Sequence, residues 1–321
     1  MIESALPKKP LPYGRGSVMN MRRISLAAAF VILLAGAFLR NGASQSNFTQ
    51  QLAPGVYYRA ADRENKIIAN AGWIVFRDYV LVIDANYPWG ARAILADVRK
   101  TTDKPIRFVF DTHYHADHSF GNSVWVDAGA TIICSRECTA ESKAKNPAAW
   151  ANDTGTGEFS LKKVRLEHPQ VAFQDRLVFD DGEHRVELTR VGPGHTLGDS
   201  IAYLPKEKIL FTGDLCVNFA GNNIADKDAD PDNWLRVLDD LAQKDVGILI
   251  PGHGGKGTTE TLRGQRAYLA DMINGVRDGI QKGATADQLA KQLDLKRHNP
   301  WGQDASRNEV SIRAVYAKVS R

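Results

Sequence analysis

Phe110-Asp111-Thr112-His113-Tyr114-His115-Ala116-Asp117-His118 places three imidazoles and two carboxylates within nine residues. The residues just before this cluster, Ile106 to Phe110, are apolar and β-branched or aromatic, and they predict a buried strand. The polar cluster therefore begins where a strand ends and a loop starts, the usual place for chemistry in α/β proteins. His113 and His115 are two residues apart, so on an extended segment their side chains point the same way and can grip one metal ion. Asp117 and His118 follow as the chain turns and can face a second ion. Imidazole with carboxylate suits zinc, and also iron or manganese.

One such motif cannot fill two metal sites, and three further stretches supply the missing residue types: Gly192-Pro193-Gly194-His195-Thr196, Phe211-Thr212-Gly213-Asp214 and Pro251-Gly252-His253-Gly254. Each follows an apolar, strand-like run: Val186 to Val191, Ile209 to Phe211, and Val246 to Ile250. Each also carries glycine beside the ligand type, which lets backbone approach a crowded centre. Five of the eight histidines fall in these motifs. His168, His184 and His298 have no motif around them and are expected to be structural.

Between Pro54 and Gly255 the chain resembles the metallo-β-lactamase superfamily, with every ligand motif present and in order. The resemblance implies an α/β fold, the four-layer αβ/βα sandwich, here with extra C-terminal helices. It implies that His113, His115 and His195 hold a first metal, that Asp117, His118 and His253 hold a second, and that Asp214 bridges the two. Two Zn2+ ions are expected, with iron or manganese as alternatives. Asp84, at the end of a predicted strand, matches a family position that orients the site; a polar residue closing a strand is the plainer reading.

The expected activity is hydrolysis of a carbonyl or ester-like small molecule by a metal-bound hydroxide, available near neutral pH because a metal ion lowers the pKa of its water from 15.7 to roughly 7. Asp117 is expected to orient that nucleophile as well as to bind metal. A β-lactam is a possible substrate, although the position where cysteine-containing lactamases carry an antibiotic-binding lysine is Val217 here. Asp214 with the full H-x-H-x-D-H stretch also resembles glyoxalase II and its relatives. Two other readings stand beside hydrolysis: an iron-dependent oxidoreductase like the persulfide dioxygenases, and a non-catalytic metal-binding member of the fold. Asn218, Asn222 and Trp150 are weak candidates for substrate contacts.

Met21-Arg22-Arg23, the apolar run Ile24 to Leu39 and the small residues Gly42-Ala43-Ser44 describe a secretory signal peptide over residues 1–44, with Met19 or Met21 as the expected true start. The apolar run is shorter than the about 18 residues of a stable span, so no membrane span is expected after processing, and the expected location is periplasmic or secreted. Residues 1–44 hold six of the 41 basic residues and one of the 37 acidic ones, so the basic balance belongs to the leader. The remainder is near neutral and gives no electrostatic case for a nucleic-acid partner. Residues 45–321 are long enough for one large domain, helical from about residue 258. Those C-terminal helices are expected to pack as a cap. Of the three cysteines, Cys134 and Cys138 are read as small buried residues, able to pair only if their Cα atoms lie within about 7 Å. Cys216 lies two residues past Asp214 and points near the site without replacing a ligand.

Overall fold

The structure is a computed structural model and describes residues 48–221 and 224–320. The expected signal peptide and Asn222 lie outside the described residues. Among the described residues, no helix is long and apolar enough to cross a membrane.

Strand β4 (Val80–Ile83) shows how the layers arise. All four of its residues are buried, which a strand needs when both faces are covered. Leu81 and Ile83 point to one face, where they pack among residues of a second sheet; Val80 and Val82 point to the other, against helices. The same alternation recurs in the second sheet. Ile209 and Phe211 of β11 (Ile209–Gly213) face the inter-sheet core, and Leu210 faces the opposite helical layer.

The first sheet has seven strands in chain order: β1 (Thr49–Ala53), β2 (Val56–Arg59), β3 (Ala71–Val75), β4, β5 (Ile106–Phe110), β6 (Thr131–Ser135) and β7 (Val171–Phe173). It is antiparallel from β1 to β4 and parallel from β4 to β7. The second sheet runs β12 (Ile248–Pro251), β11, β10 (Ser200–Leu204), β9 (Arg185–Arg190), β8 (Arg176–Asp180). Helices α1 (Pro88–Thr101) and α3 (Asn122–Asp127) cover the outer face of the first sheet through Ile94, Val98 and Trp125. Helices α5 (Pro231–Leu241), α6 (Thr259–Gln281), α7 (Ala286–Gln292) and α8 (Ala305–Val319) share a core with Leu210 and Leu249 on the outer face of the second. The arrangement is the expected αβ/βα sandwich.

One strand-like run divides between the sheets, and one sequence expectation changes. Val171 to Phe179 reads as one strand, but the chain breaks at Gln174-Asp175: β7 pairs with β6 in the first sheet and β8 with β9 in the second. Hydrophobic alternation alone does not say which sheet a strand joins. Cys134 and Cys138 are buried, as expected, but they are also bonded, with Cα atoms 5.9 Å apart across the junction of β6 and α4 (Arg136–Ala151). The Ser135 hydroxyl, accepting from the Cys138 amide, caps α4 and fixes that junction. His184 and His168 are structural, pairing with Glu207 at 2.8 Å and Ser142 at 2.9 Å.

Candidate metal centre

In the second sheet β9 and β11 are both antiparallel to β10, and β12 is parallel to β11, so their C-terminal ends share one edge. The loops leaving those ends carry His195, Asp214 and His253. From the first sheet, β5 delivers His113 and His115 directly, and the short helix α2 (Ala116–Ser119) turns Asp117 and His118 toward the same point.

The seven candidate side chains meet there. His115 Nδ1 lies 3.1 Å from His113 Nε2 and 2.9 Å from His195 Nε2. His118 Nε2 lies 3.4 Å from His253 Nε2, and Asp117 Oδ2 is 3.1 Å from the latter. Asp214 stands between the trios: its Oδ1 is 3.3 Å from both His118 Nε2 and His253 Nε2, and its Oδ2 is 3.8 Å from His195 Nε2. Gly252 permits this, because a β-carbon on it would overlap Asp214 Oδ1.

The far nitrogens of four of these rings are held by neighbours, which fixes which nitrogen faces inward. His118 Nδ1 donates to Asp84 Oδ2 at 2.9 Å, and His253 Nδ1 to the Ile68 carbonyl at 3.0 Å. His115 Nε2 donates to Asp226 Oδ2 at 3.1 Å. The Thr112 hydroxyl donates to Asp84 and therefore accepts from His113 Nδ1, at 3.1 Å. Asp84 thus orients two of the imidazoles, as its position suggested.

This donor set fits divalent metal ions. Imidazole nitrogens at 2.9–3.4 Å from one another, with the other nitrogens of four of the five rings already donating, share no proton that could satisfy them all. Asp214 Oδ1 is buried and makes no hydrogen bond. Three groups drawn from these seven side chains lie close enough to share an ion: His113, His115 and His195; His113, His118 and Asp214; Asp117, His118 and His253. The electrostatics agree. Burial, reinforced by the neighbouring histidines, holds His113 well below the usual imidazole range. Burial also opposes charge on His118 and His253, but the carboxylates around them win: Asp84 and Asp214 push His118 well up, and Asp214 and Asp117 push His253 up to about 10.

The other carboxylate of the opening stretch, Asp111, stays out of the centre. It accepts from Asn122 Nδ2 at 2.8 Å, and burial pushes its pKa well up, favouring the neutral acid. Cys216 is buried next to the centre, and burial pushes its thiol up, which disfavours the thiolate.

The centre floors a cavity of about 520 Å³, walled on its apolar side by Ile68, Phe120, Val217 and Phe219. Of the substrate candidates among the described residues, Asn218 and Trp150 do not line it. Asn218 donates from Nδ2 to the Gly255 carbonyl and from its amide to the His253 carbonyl, so it fixes the His253 loop. Trp150 backs the wall, its ring 4.9 Å from that of Phe120. The sequence reading missed Arg63, Tyr114, Lys145 and Arg307 on the lining, and Asp226 behind it. Tyr114 sits inside the ligand motif, but the others lie in polar or helical stretches with no local signature.

The sequence model of the metallo-beta-lactamase superfamily matches residues 66–253. The chain belongs to this superfamily. A linear primary-alkylsulfatase of Pseudomonas sp. (strain ATCC 19151) is 23% identical over 245 residues, covering 65% of this chain and 46% of that protein. A metallo-beta-lactamase type 2 of Bacteroides fragilis is 30% identical over 115 residues, covering 35% of this chain and 46% of the other. A stereoselective inverting sec-alkylsulfatase from Pseudomonas sp. superposes with a TM-score of 0.66 at 19% identity, over 84% of this chain and 50% of that one. This superfamily member thus spans about half the length of the curated relatives it matches.

Proposed function

We propose that this chain is a metal-dependent hydrolase of small ester-like substrates. The observation that carries the reading is the Asp214 carboxylate standing between the His113, His115, His195 trio and the Asp117, His118, His253 trio at the floor of a cavity. His113, His115 and His195 would hold one divalent ion, Asp117, His118 and His253 a second, and Asp214 both, with zinc suited to the donor set. Bound ions supply Lewis acidity and a water acidic enough to act near neutral pH.

The protein's own groups do the rest. Asp117 is the candidate ligand that most faces the cavity, its side chain 21% exposed against 0–11% for His118, Asp214 and His253. Burial would neutralise it, but His118 and His253 hold its carboxyl below the usual range. It therefore stays an acceptor and can orient a water for attack. The wall formed by Ile68, Phe120 and Val217 excludes bulk water and seats an apolar part of the substrate. The Cys134–Cys138 bond supports an oxidising working compartment, as export would give.

The test is turnover by the zinc-loaded chain of a chromogenic cephalosporin, a thioester, an aryl phosphodiester and an alkyl sulfate, each with and without chelator. Chelator-sensitive turnover of any of them supports the reading, and the substrate used places the protein within the superfamily. A fully metallated protein inert toward all four returns it to the non-catalytic alternative. Iron rather than zinc in protein from its native host would favour the oxidoreductase.

A further inference from the structure

Three cations line the cavity, and they are not equivalent. Lys145 is committed to carboxylates: its Nζ lies 2.8 Å from Glu141, 2.9 Å from Asp228 and 3.4 Å from Asp226, and donates to the Tyr114 hydroxyl. Arg63 has no carboxylate partner among the described residues. Arg307, on α8, uses Nε toward Asp304 at 3.3 Å, with the two side chains 46% and 35% exposed. Both guanidinium groups lie over one ring, that of Phe219, at 5.8 and 5.0 Å from its centroid. The same ring meets His253 of the metal centre at 5.6 Å. The aliphatic stem of Arg307 fills the space beside Gly221, where a β-carbon would sit 2.9 Å from its Cδ. Two positive charges are thus seated on one aromatic platform that touches the metal centre. Both arginines lie outside the 66–253 span that matches the superfamily, and Phe219 lies within it.

We propose that Arg63 and Arg307 form an anion subsite, and that the substrate is an ester carrying a carboxylate remote from the bond that is cleaved. A guanidinium presents parallel N–H groups that match the two oxygens of a carboxylate. The Phe219 platform keeps both arginines at the rim while the metal centre lies below, so one molecule reaches both only if its charge and its ester group are separate. This rests on the hydrolase reading, and the experiment separates the two.

The zinc-loaded full chain is assayed on a matched pair: the mono(4-nitrophenyl) ester of glutaric acid and 4-nitrophenyl pentanoate, which differ in a terminal carboxylate. The readout is the ratio of kcat/KM for the charged ester over the neutral one. It should fall about threefold in Arg63→Met and in Arg307→Met, and about tenfold in the double variant, the modest values expected of exposed charges. Lysine at either position should restore part of it, and added salt should lower it in the wild type. Calorimetry with glutarate on wild type and double variant reads the subsite without turnover, and direct binding to zinc is common to both. Turnover with an unchanged ratio and equal glutarate binding overturns the subsite and leaves the hydrolase standing. No turnover, with tighter glutarate binding by the wild type, leaves the subsite and removes the hydrolase. Weaker hexyl sulfate binding by the double variant than by the wild type, with glutarate binding equal in the two, overturns the carboxylate assignment.

Discussion

His118 donates its Nδ1 proton to Asp84 Oδ2 across 2.9 Å, and Asp84 holds this position from a left-handed backbone conformation at φ +64°. Both side chains are buried, and the same carboxylate takes the Thr112 amide and hydroxyl. One residue at the end of β4 thereby anchors the start of the β5 loop and aims an imidazole at the centre. Asp84→Asn keeps the shape and removes the charge that makes the ring a strong donor. Zinc affinity should weaken about 10- to 100-fold, the usual cost of losing such a partner, with the fold retained. A competition titration against a chromophoric chelator measures it, and an unchanged affinity would show that the bond does not tune the site.

Asp117 carries two roles in the proposed reaction, as ligand and as the acceptor that orients water. Asp117→Ala should therefore abolish turnover and lower metal content together. Metal analysis and activity on one sample decide it: a fully metallated, fully active variant contradicts both roles.

The centre was legible in the sequence because its candidate ligands come in short motifs at strand ends, where position in the chain predicts position in space. His113 through His118 needed only the strand before them, and His195, Asp214 and His253 each had a glycine-rich turn. Asp226 gave no such signal. It sits in an Asn- and Asp-rich loop, and only the tertiary fold brings its carboxylate to His115. Arg307 is less visible still: the C-terminal helices read as a cap, yet α8 brings this side chain to the cavity lining. The split of Val171 to Phe179 between two sheets was hidden for a different reason. Both halves have strand composition, and the choice of sheet is made by long-range pairing.

Without metal, the centre should make stability depend on pH in a definite direction. Burial disfavours charge on His253, but Asp214 and Asp117 outweigh it and raise its pKa from 6.5 to about 10. The unfolded chain releases this proton near 6.5, so the stabilisation is complete below that pH and is lost as pH rises through about 10. His118 shifts the same way. Chelated protein should melt at a lower temperature at pH 10 than at pH 7. Zinc replaces those protons, so the loaded protein should show a weaker slope and should release protons as it binds metal. Equal slopes with and without zinc would count against the two imidazoles as ligands.

Trp301 joins the C-terminal helices to the loop that forms the cavity wall. Its Nε1 donates to the Val217 carbonyl at 2.6 Å, and its own carbonyl accepts from the Gly221 amide at 2.8 Å. Its ring lies so close to Gly264 of α6 that a β-carbon there would approach it to 2.6 Å. Trp301→Phe preserves most of the apolar contact and removes the indole donor, leaving the Val217 carbonyl short of a partner. Stability should drop by about 1–3 kcal/mol, the cost of an unsatisfied buried group. Because Val217 and Phe219 both line the cavity, the variant should raise KM more than it lowers kcat on whichever substrate the wild type turns over. Denaturant melts and steady-state kinetics on the same preparation measure the two effects. A loss of stability with unchanged KM would mean that the clip holds the helices without shaping the wall.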